Sequence, residues 1–357
     1  MNILILCTHL NPAGISRYVI NLSKGLMRRG HTVYVGCAGG EWITELTALG
    51  IPYRRIPIKT KSIVSVKIIQ SLFSLAPFLR QQKIQIVHAN TRVTQYLSYL
   101  IYKFLHIPYV STFHCFHQPT FFRKLFKFAG VATIAVSEAV KKHLTHDLKI
   151  QEAKIRRVYN GIDYKEIAKR KKQKSDYGLK EYSFTIGILG RISQEKGHLL
   201  AAQTFKLLFP KYDNIYMLVS GRGRLETELK LFLRLCELEE RVRFLNLDAS
   251  DFLDITDLLL VPSAKEGFGY AIIEAFAKGV PVIGFNTGGI SEIIKDRENG
   301  LLFYKYEAQA LKEAIEELIY NSQLRQKVIE NAKNNLDVFS LEEMAANTEK
   351  VYGEIIK

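Results

Sequence analysis

Two glutamates, Glu266 and Glu274, are the residues of this chain whose type and spacing most directly indicate chemistry. Seven residues separate them, and a Gly-Phe-Gly turn followed by an apolar run of helical character lies between. In a strand–loop–helix unit, Glu266 falls on the loop and Glu274 about one turn into the helix. The glycines let a bulky polar ligand approach the backbone, and the helix start offers unpaired amides to phosphate or hydroxyl oxygens. Acids and amides together suit a sugar joined to a phosphate, although an ordinary surface turn before an amphipathic helix has the same pattern.

A second segment, 185–197, supplies positive charge. Its apolar strand ends in Gly190 and Arg191, and Lys196 follows five residues later at a helix start. Arginine offers phosphate oxygens a planar fork and lysine a point charge. The pattern predicts a pyrophosphate clamp, with a solvated charge pair as the alternative.

Three weaker signals each follow a strand. Gly14 begins a helix after the first strand, without a GxGxxG fingerprint, and Gly221 is placed to border a nucleotide base. His114 ends a strand and is placed to meet a sugar hydroxyl or phosphate, or else is a hydrogen-bonded strand-end histidine. The sequence has no Ser-His-Asp order, HExxH motif or metal-ligand cluster.

The elements that position these residues alternate between short apolar runs and longer amphipathic stretches, as in parallel α/β sheets. The predicted strands are 2–7, 32–36, 52–56, 84–88, 108–113, 131–136, 155–158, 183–189, 214–219, 241–245, 257–261, 281–285 and 300–303. The predicted helices are 14–29, 62–82, 92–106, 137–146, 197–209, 223–237, 269–278 and 307–336. We expect an α/β fold of two doubly wound, Rossmann-like parallel sheets facing a cleft, with the candidate loops at the carboxyl ends of the strands.

The domain boundaries follow from a polar, basic run near the middle of the chain. We predict an N-terminal domain at 1–163, a basic linker region at 164–182 and a second domain at 183–338. The remaining residues, 339–357, are predicted to form a C-terminal helix that packs back on the N-terminal domain.

Charge is concentrated in the first half of the chain. Residues 1–160 hold 22 Lys and Arg against 5 Asp and Glu, a net +17, whereas the remainder has a net charge of −2. This asymmetry indicates an anionic partner for the first half, such as a phospholipid surface, a phosphorylated acceptor or nucleic acid, unless it serves only solubility.

The cysteines and the apolar tracts predict where in the cell the protein is found. Four dispersed cysteines without CxxC spacing fit a reducing cytosol. The chain opens on an apolar strand without a basic leader, so a secretion signal is not expected. The apolar tracts 62–79 and 96–110 are interrupted by Lys67 and Lys103, so neither is expected to span a bilayer.

Taken together, the motifs resemble those of family-4 retaining glycosyltransferases of the GT-B architecture (glycosyltransferase group 1). The matching pieces are VSEAV at 136–140, YNGID at 159–163, GR at 190–191 with EKG at 195–197, the Glu266–Glu274 pair, AKGVPV at 277–282 and GGISE at 288–292. The resemblance extends over the whole chain and is most specific between 185 and 303.

The resemblance implies that the second domain binds a nucleotide-diphosphate sugar. The implied donor contacts in that domain are Arg191, Lys196, Gly221, Phe268, Gly269, Tyr270 and Glu274. Arg191 and Lys196 would hold the phosphates and Glu274 the ribose. Glu266 would contact the donor sugar and, with His114, take part in catalysis, while Gly14 and His114 would close over the donor. The resemblance also implies that no divalent metal or other cofactor is needed, since the Arg/Lys pair supplies the charge that a leaving diphosphate requires.

The resemblance also implies a hexosyltransferase that retains anomeric configuration, with UDP-hexose as the default donor. Two positions depart from the family pattern. Ala13 replaces the first glycine of the usual pair, and Tyr270 stands where a smaller aliphatic residue is common. The alternatives are a nucleotide-sugar epimerase or a phosphorylase of the same architecture, and a basic nucleic-acid-binding protein.

The acceptor side is predicted from aromatic and cationic residues interleaved in 119–128 and from a second basic, amphipathic segment at 59–83. Such sequences suit the headgroup region of an anionic membrane, although both segments would also pack on a sheet with their lysines in water. We therefore expect a cytoplasmic enzyme, peripheral on the inner face of the cell membrane. Its acceptor would be a lipid-linked or cell-surface glycan, as in cell-envelope polysaccharide or lipopolysaccharide biosynthesis, and nucleic acid is not expected as a partner.

Overall fold

The structure is a computed structural model that describes residues 1–60, 62–169 and 172–356. All thirteen predicted strands are present in it, with ends that differ by one or two residues. They are β1 Asn2–Leu6, β2 Thr32–Cys37, β3 Tyr53–Arg55, β4 Ile86–Ala89, β5 Tyr109–Phe113, β6 Ala132–Ala135, β7 Ile155–Arg157, β8 Phe184–Leu189, β9 Ile215–Ser220, β10 Val242–Leu245, β11 Leu258–Val261, β12 Val282–Phe285 and β13 Leu301–Phe303.

The strands form two wholly parallel sheets, which confirms the predicted fold class. The first sheet has the order β3-β2-β1-β4-β5-β6-β7 and the second the order β10-β9-β8-β11-β12-β13. In both, the strand order reverses direction beside the first strand, as in doubly wound dinucleotide-binding folds. The central strands are buried on both faces, because helices cover both sides of a parallel sheet.

Helices connect the strands. They are α1 Gly14–Arg28, α2 Ile43–Ala48, α3 Val66–Gln81, α4 Arg92–Leu105, α5 Phe121–Leu125, α6 Glu138–His146, α7 Tyr164–Ile167, α8 His198–Leu208, α9 Glu226–Leu235, α10 Ala249–Asp254, α11 Tyr270–Lys278, α12 Ile290–Ile293, α13 Ala308–Tyr320, α14 Ser322–Asn334 and α15 Leu341–Gly353. None of these described helices is long and apolar enough to span a bilayer.

One helix prediction is wrong. The single helix expected at 307–336 is broken at Asn321, which has φ −100° and ψ 84°. Its side chain accepts a hydrogen bond from the Leu324 amide at 2.9 Å and so caps α14. Asparagine is a strong helix N-cap, and this local bond competes with helix continuation.

The chain divides into two compact units. The first unit comprises Met1–Ile162 and the described residues from Val338 onward, and the second comprises Asp163–Asp337. Each has its own sheet and its own apolar core.

The described residues of 164–182, which we expected to be a linker, belong to the second unit. Lys174 Nζ lies 2.7 Å from Asp257 Oδ2 and donates to the Ser183 carbonyl oxygen at 2.7 Å. The Lys172 amide donates to Asp254 Oδ2 at 3.0 Å. These bonds attach the basic run to the amino-terminal ends of β8 and β11. Arg170 and Lys171 of this run lie outside the described residues, as do Lys61 of the segment 59–83 and Lys357 of the segment 339–357.

In the first unit, α15 packs against α1 and contributes acidic side chains to a basic region. Glu342 pairs with Arg28, the last residue of α1, at 2.8 Å, and Glu349 pairs with Arg29, its C-cap, at 2.5 Å. Glu354 pairs with Arg156 of β7 at 2.9 Å. The terminal helix therefore neutralises one basic region of the first unit.

Candidate active site

The candidate site of the second unit lies where the strand order reverses. Strands β8 and β11 are hydrogen-bonded neighbours, with Leu258 opposite Ile186. Their carboxyl ends lead into the segments 190–197 and 262–269, which hold five of the ten site residues predicted from the sequence. Ligands of open parallel sheets bind outside the carboxyl ends of the strands at such a reversal. The topology thus explains why these two loops meet.

An ion pair joins the two loops. Lys196 Nζ lies 2.5 Å from Glu266 Oε2, and the two side chains are 27% and 16% exposed. An ammonium group has three donors, so Lys196 retains donors beside the one that Glu266 uses. A charged, partly exposed group at the carboxyl edge of a parallel sheet is suited to contact an anionic ligand.

Backbone hydrogen bonds hold this pair in place. The Ala264 amide donates to the Glu195 carbonyl oxygen at 2.8 Å, and the Gly289 amide donates to the Glu266 carbonyl oxygen at 2.9 Å. The loops after β8, β11 and β12 are therefore cross-linked by main-chain bonds. Such bonds keep a site in one geometry before its ligand arrives.

Two glycines make this packing of loops sterically feasible. A Cβ on Gly197 would lie 2.1 Å from the Pro262 carbonyl oxygen, and one on Gly221 would lie 2.0 Å from the Gly190 carbonyl oxygen. Gly221 also has φ +140°, in a region that other residues rarely adopt. The predicted donor residue Gly221 thus lies directly against the loop that begins with Gly190.

The start of α11 carries the remaining predicted residues of the second unit. Gly269 is its N-cap, with φ 114° and no side-chain cap, and Tyr270 is its first residue. Phe268 is buried, and its ring packs edge-on against that of Tyr270 at 5.8 Å. Glu274 lies one turn into the helix and is only 8% exposed. The N-terminal amides of α11 lie in the same loop as Glu266 and suit oxygen ligands.

Arg191 has a partner that the sequence analysis did not foresee. Its guanidinium lies 2.6 Å from Glu195 Oε1 and the side chain is 69% exposed. Exposed pairs of this kind are weak and exchange partners readily. Arg191 can therefore exchange Glu195 for another anionic partner.

His198 is another neighbour that the sequence analysis missed. It begins α8, directly after Lys196 and Gly197, and is 2% exposed. Burial, followed by the Lys196 charge, lowers its pKa to about 4. A neutral imidazole thus lies beside the cation, and its position after the Lys-Gly pair was the available sequence signal.

The first unit places Gly14 and His114 at the carboxyl edge of its sheet. Gly14 is the first residue of α1, and His114 follows β5 directly. Ala13, the N-cap of α1, has φ −167°. Any residue adopts this extended conformation, so the backbone at position 13 does not require a glycine. The ring of Tyr18, one turn into α1, packs edge-on against His114 at 4.6 Å.

Asn90, at the end of β4, orients His114. The ring nitrogen Nε2 of His114 lies 3.1 Å from Asn90 Oδ1, and because an amide oxygen only accepts, Nε2 carries the proton. Burial lowers the pKa of His114 to about 3, so the imidazole is neutral near pH 7 with Nδ1 as an acceptor. Asn90 and Tyr18 were not predicted, and a polar residue following a predicted strand was the only signal for Asn90.

A second buried histidine lies behind this one. The ring of His88 is hydrogen-bonded through Nδ1 to the Tyr352 hydroxyl at 2.5 Å and through Nε2 to Thr112 Oγ1 at 2.6 Å. Thr112 Oγ1 in turn lies 3.1 Å from the Tyr18 hydroxyl. Burial lowers the pKa of His88 to about 3. The chain of bonds connects α15 to α1 within the first unit. Among the residues that the structure describes, no three His, Cys, Asp or Glu side chains cluster as metal ligands.

Two family descriptions match the chain in succession. The family described as Glycosyltransferase Family 4 matches residues 12–166, and that described as Glycosyl transferases group 1 matches residues 169–335. The boundary between them falls close to the division between the two units.

Comparisons with individual proteins indicate the same family. An uncharacterized glycosyltransferase of Methanocaldococcus jannaschii is 30% identical over 78% of this chain and 77% of its own length. The Escherichia coli UDP-Gal:alpha-D-GlcNAc-diphosphoundecaprenol alpha-1,3-galactosyltransferase is 28% identical over 69% of each chain. The crystal structure of Anabaena HepE in complex with UDP and glucose superposes with a TM-score of 0.87, at 21% identity, over 99% of this chain and 100% of that one. The chain therefore belongs to glycosyltransferase family 4, of the GT-B type, and is a glycosyltransferase.

Proposed function

We propose that this glycosyltransferase moves a hexose from UDP-hexose to a lipid-linked or cell-surface glycan with retention of anomeric configuration. The observation that carries the proposal is the Lys196–Glu266 pair, held between the loops after β8 and β11 at 2.5 Å. It supports the proposal because a cation suited to a diphosphate and a carboxylate suited to a sugar lie side by side at the reversal of strand order.

The donor would bind along these loops. Lys196 and Arg191 would share the diphosphate, the amides of Phe268, Gly269 and Tyr270 would meet donor oxygens, and Glu274 would accept from the ribose hydroxyls. Gly221 would border the base. The HepE complex with UDP and glucose and the UDP-Gal specificity in the name of the E. coli relative support a uridine donor.

The reaction would exchange one C–O bond for another. The bond from the anomeric carbon to the diphosphate oxygen breaks, and the acceptor hydroxyl forms a new bond on the same face. Its proton passes to the departing phosphate oxygen. Lys196 and Arg191 would stabilise the negative charge of that diphosphate, and we propose that no metal or other cofactor is needed.

Two further residues would assist. Glu266 would stabilise the positive charge that develops on the donor sugar as the bond breaks. His114, neutral and oriented by Asn90, would hydrogen-bond a substrate hydroxyl or phosphate from the first unit, with Gly14 allowing the donor close to the main chain.

Donor choice and product are tested together. A thermal-shift screen of UDP-, GDP- and ADP-sugars should give the largest stabilisation with a UDP-hexose, because only a bound ligand stabilises the folded state. Incubation of that donor with membrane extract should then yield a product heavier by one hexose, detected by mass spectrometry, with the α- or β-linkage of the donor retained. Release of an epimer or free sugar from donor alone, or a preference for another base, would reject this assignment.

We also propose that the enzyme is cytoplasmic and peripheral on the inner face of the cell membrane, with no nucleic-acid partner. In the first unit, α5 has no buried residue, and Phe121, Phe122 and Leu125 are 74%, 68% and 60% exposed beside Arg123 and Lys124. Apolar side chains next to cations suit an anionic lipid surface.

Vesicle binding tests this location. Vesicles of phosphatidylcholine with phosphatidylglycerol should co-sediment with the protein at low salt and release it at high salt. The double variant Phe121→Ser, Phe122→Ser should bind several-fold less, whereas Leu235→Ser, which removes an exposed leucine of the second unit, should not change binding. Absence of co-sedimentation at low salt would reject a membrane location.

A further inference from the structure

We infer that the first unit contains a binding pocket for a phosphate group of the acceptor, lined by Arg92, Gln95, His117, Arg123 and Lys127. The inference rests on the proposed function in one respect, namely that the acceptor is anionic. It adds a site, its residues and the chemical group that the site takes.

The lining of this pocket carries positive charge and no negative charge. Three of its residues are Lys or Arg and a fourth is histidine, while the others are Gln95 and apolar side chains from β5 and from the segment after α6. No carboxylate lines it. A concave site with several cations and no acid favours a polyanionic group such as phosphate.

The cations of the pocket lack acidic partners. Neither Arg92, Arg123 nor Lys127 forms an ion pair with an acid among the described residues. Arg92 reaches only the Lys127 carbonyl oxygen, at 3.5 Å, and the face of the Phe128 ring, at 5.1 Å. Burial and then the Arg123 charge lower the pKa of Arg92, and burial followed by the same charge lowers that of His117 to about 4. An anion would relieve this repulsion.

Gln95 adds a neutral polar group to the lining of the pocket. The residue is 3% exposed and lines the pocket. Its side-chain amide makes no hydrogen bond to another residue in the described part of the chain. The amide lines the pocket, so its donor and acceptor atoms are available to a group that enters there. The same turn begins α4, a helix of 14 residues whose N-terminus favours negative charge.

The pocket is small, which limits how the group binds. The atom-free space of the pocket, including its mouth, is about 260 Å³. The part of it that the centre of a water molecule can occupy is only about 10 Å³. The inner space holds about one water. One phosphate oxygen would therefore enter beside Arg92 and Gln95, and the half-exposed Arg123 and Lys127 would meet the others at the mouth.

The location favours the acceptor rather than the donor as the source of this phosphate. Phe113, which ends β5, lines the pocket, and His114 is the next residue. Arg123 belongs to α5, whose phenylalanines are exposed. A phosphate held here would lie between the proposed substrate-contacting histidine and the proposed lipid-facing helix.

Titration calorimetry with inorganic pyrophosphate tests the pocket. The protein is first saturated with UDP, so that the donor loops are occupied. Wild type should bind pyrophosphate, and Arg92→Gln and Arg123→Gln should each weaken that binding about tenfold, the loss expected for one charge-assisted contact. The matched control Arg55→Gln, an exposed arginine on β3 of the same unit, should bind as wild type does.

A second arm distinguishes the source of the phosphate. Phosphatidylcholine vesicles containing phosphatidic acid should bind wild type better than vesicles with an equal charge of phosphatidylglycerol, and Arg123→Gln should abolish that difference. Binding of pyrophosphate without this vesicle preference would assign the pocket to a soluble phosphate. No binding of either probe, or equal binding by wild type and both arginine variants, would overturn the inference. Failure of wild type to bind UDP would instead reject the proposed donor site. The comparison of pyrophosphate binding by wild type, Arg92→Gln and Arg123→Gln would still test the pocket.

Discussion

The two units of this glycosyltransferase manage charge differently. By sequence the first unit carries 24 Lys and Arg against 9 Asp and Glu, whereas the second carries 26 of each. In the second unit, cations of the candidate site are paired with acids, as Lys196 is with Glu266 and Arg191 with Glu195. In the first, α15 pairs with one region and leaves the pocket around Arg92 without acids.

The difference teaches what each unit is equipped to bind. Under the proposed function, the paired cations of the second unit hold a diphosphate and then release it, because the acids compensate their charge when the ligand leaves. An uncompensated cluster in the first unit favours a permanently anionic partner, such as a phosphorylated acceptor or a lipid surface. The first unit also keeps its buried histidines neutral, so its histidines add no charge to this cluster near pH 7.

The largest effect is expected from breaking the acid–cation pair of the second unit. Glu266→Gln should lower turnover about 100-fold or more, as for loss of one preorganised electrostatic contact to a transition state, while donor affinity changes far less. Steady-state kinetics together with calorimetric UDP-hexose binding separate the two. The control Glu313→Gln, an exposed acid on α13, should be neutral. Unchanged turnover would show that Glu266 has no catalytic role.

Lowering the pH should destabilise the first unit more than the second, because the first unit contains more buried, neutral histidines. The folded-state pKa of His88 is about 3, below the usual 6.5, so between these values the unfolded chain binds more protons and stability falls as pH decreases. Such a histidine lowers the free energy of unfolding by about 2 kcal/mol at pH 5. The first unit contains three strongly shifted histidines, His88, His114 and His117, and the second contains His198.

Hydrogen exchange at pH 7 and pH 5, corrected for intrinsic rates and resolved by peptide, measures this difference. Peptides of β4 and β5 should lose more protection at pH 5 than peptides of β8 and β11. Equal loss in the two sets would contradict the account of the buried histidines.

The second unit was the more predictable from sequence, for a physical reason. Its candidate residues lie in short loops that directly follow apolar strands, and the carboxyl ends of neighbouring parallel strands must meet. Lys196 and Glu266 therefore come together once β8 and β11 are recognised. The break of helix 307–336 at Asn321 was also visible in principle, since asparagine caps helices.

The first unit depends more on contacts between distant segments. Asn90 orients His114 from 24 residues away, and Tyr352 reaches His88 from 264 residues away. The pocket around Arg92 assembles side chains from α4, the loop after β5 and α5. Periodicity and loop motifs carry no information on such tertiary contacts, so these residues emerged only with the fold.

The most direct test of the central claim is the affinity of UDP for Lys196→Gln, measured by titration calorimetry beside wild type and Lys206→Gln, an exposed lysine on α8. Without the ammonium group, the diphosphate loses an attractive contact, and the unpaired Glu266 carboxylate repels the diphosphate. We predict at least about a tenfold loss of affinity for Lys196→Gln and none for Lys206→Gln. Equal UDP affinity in all three proteins would contradict the assignment of the Lys196–Glu266 pair as the donor site.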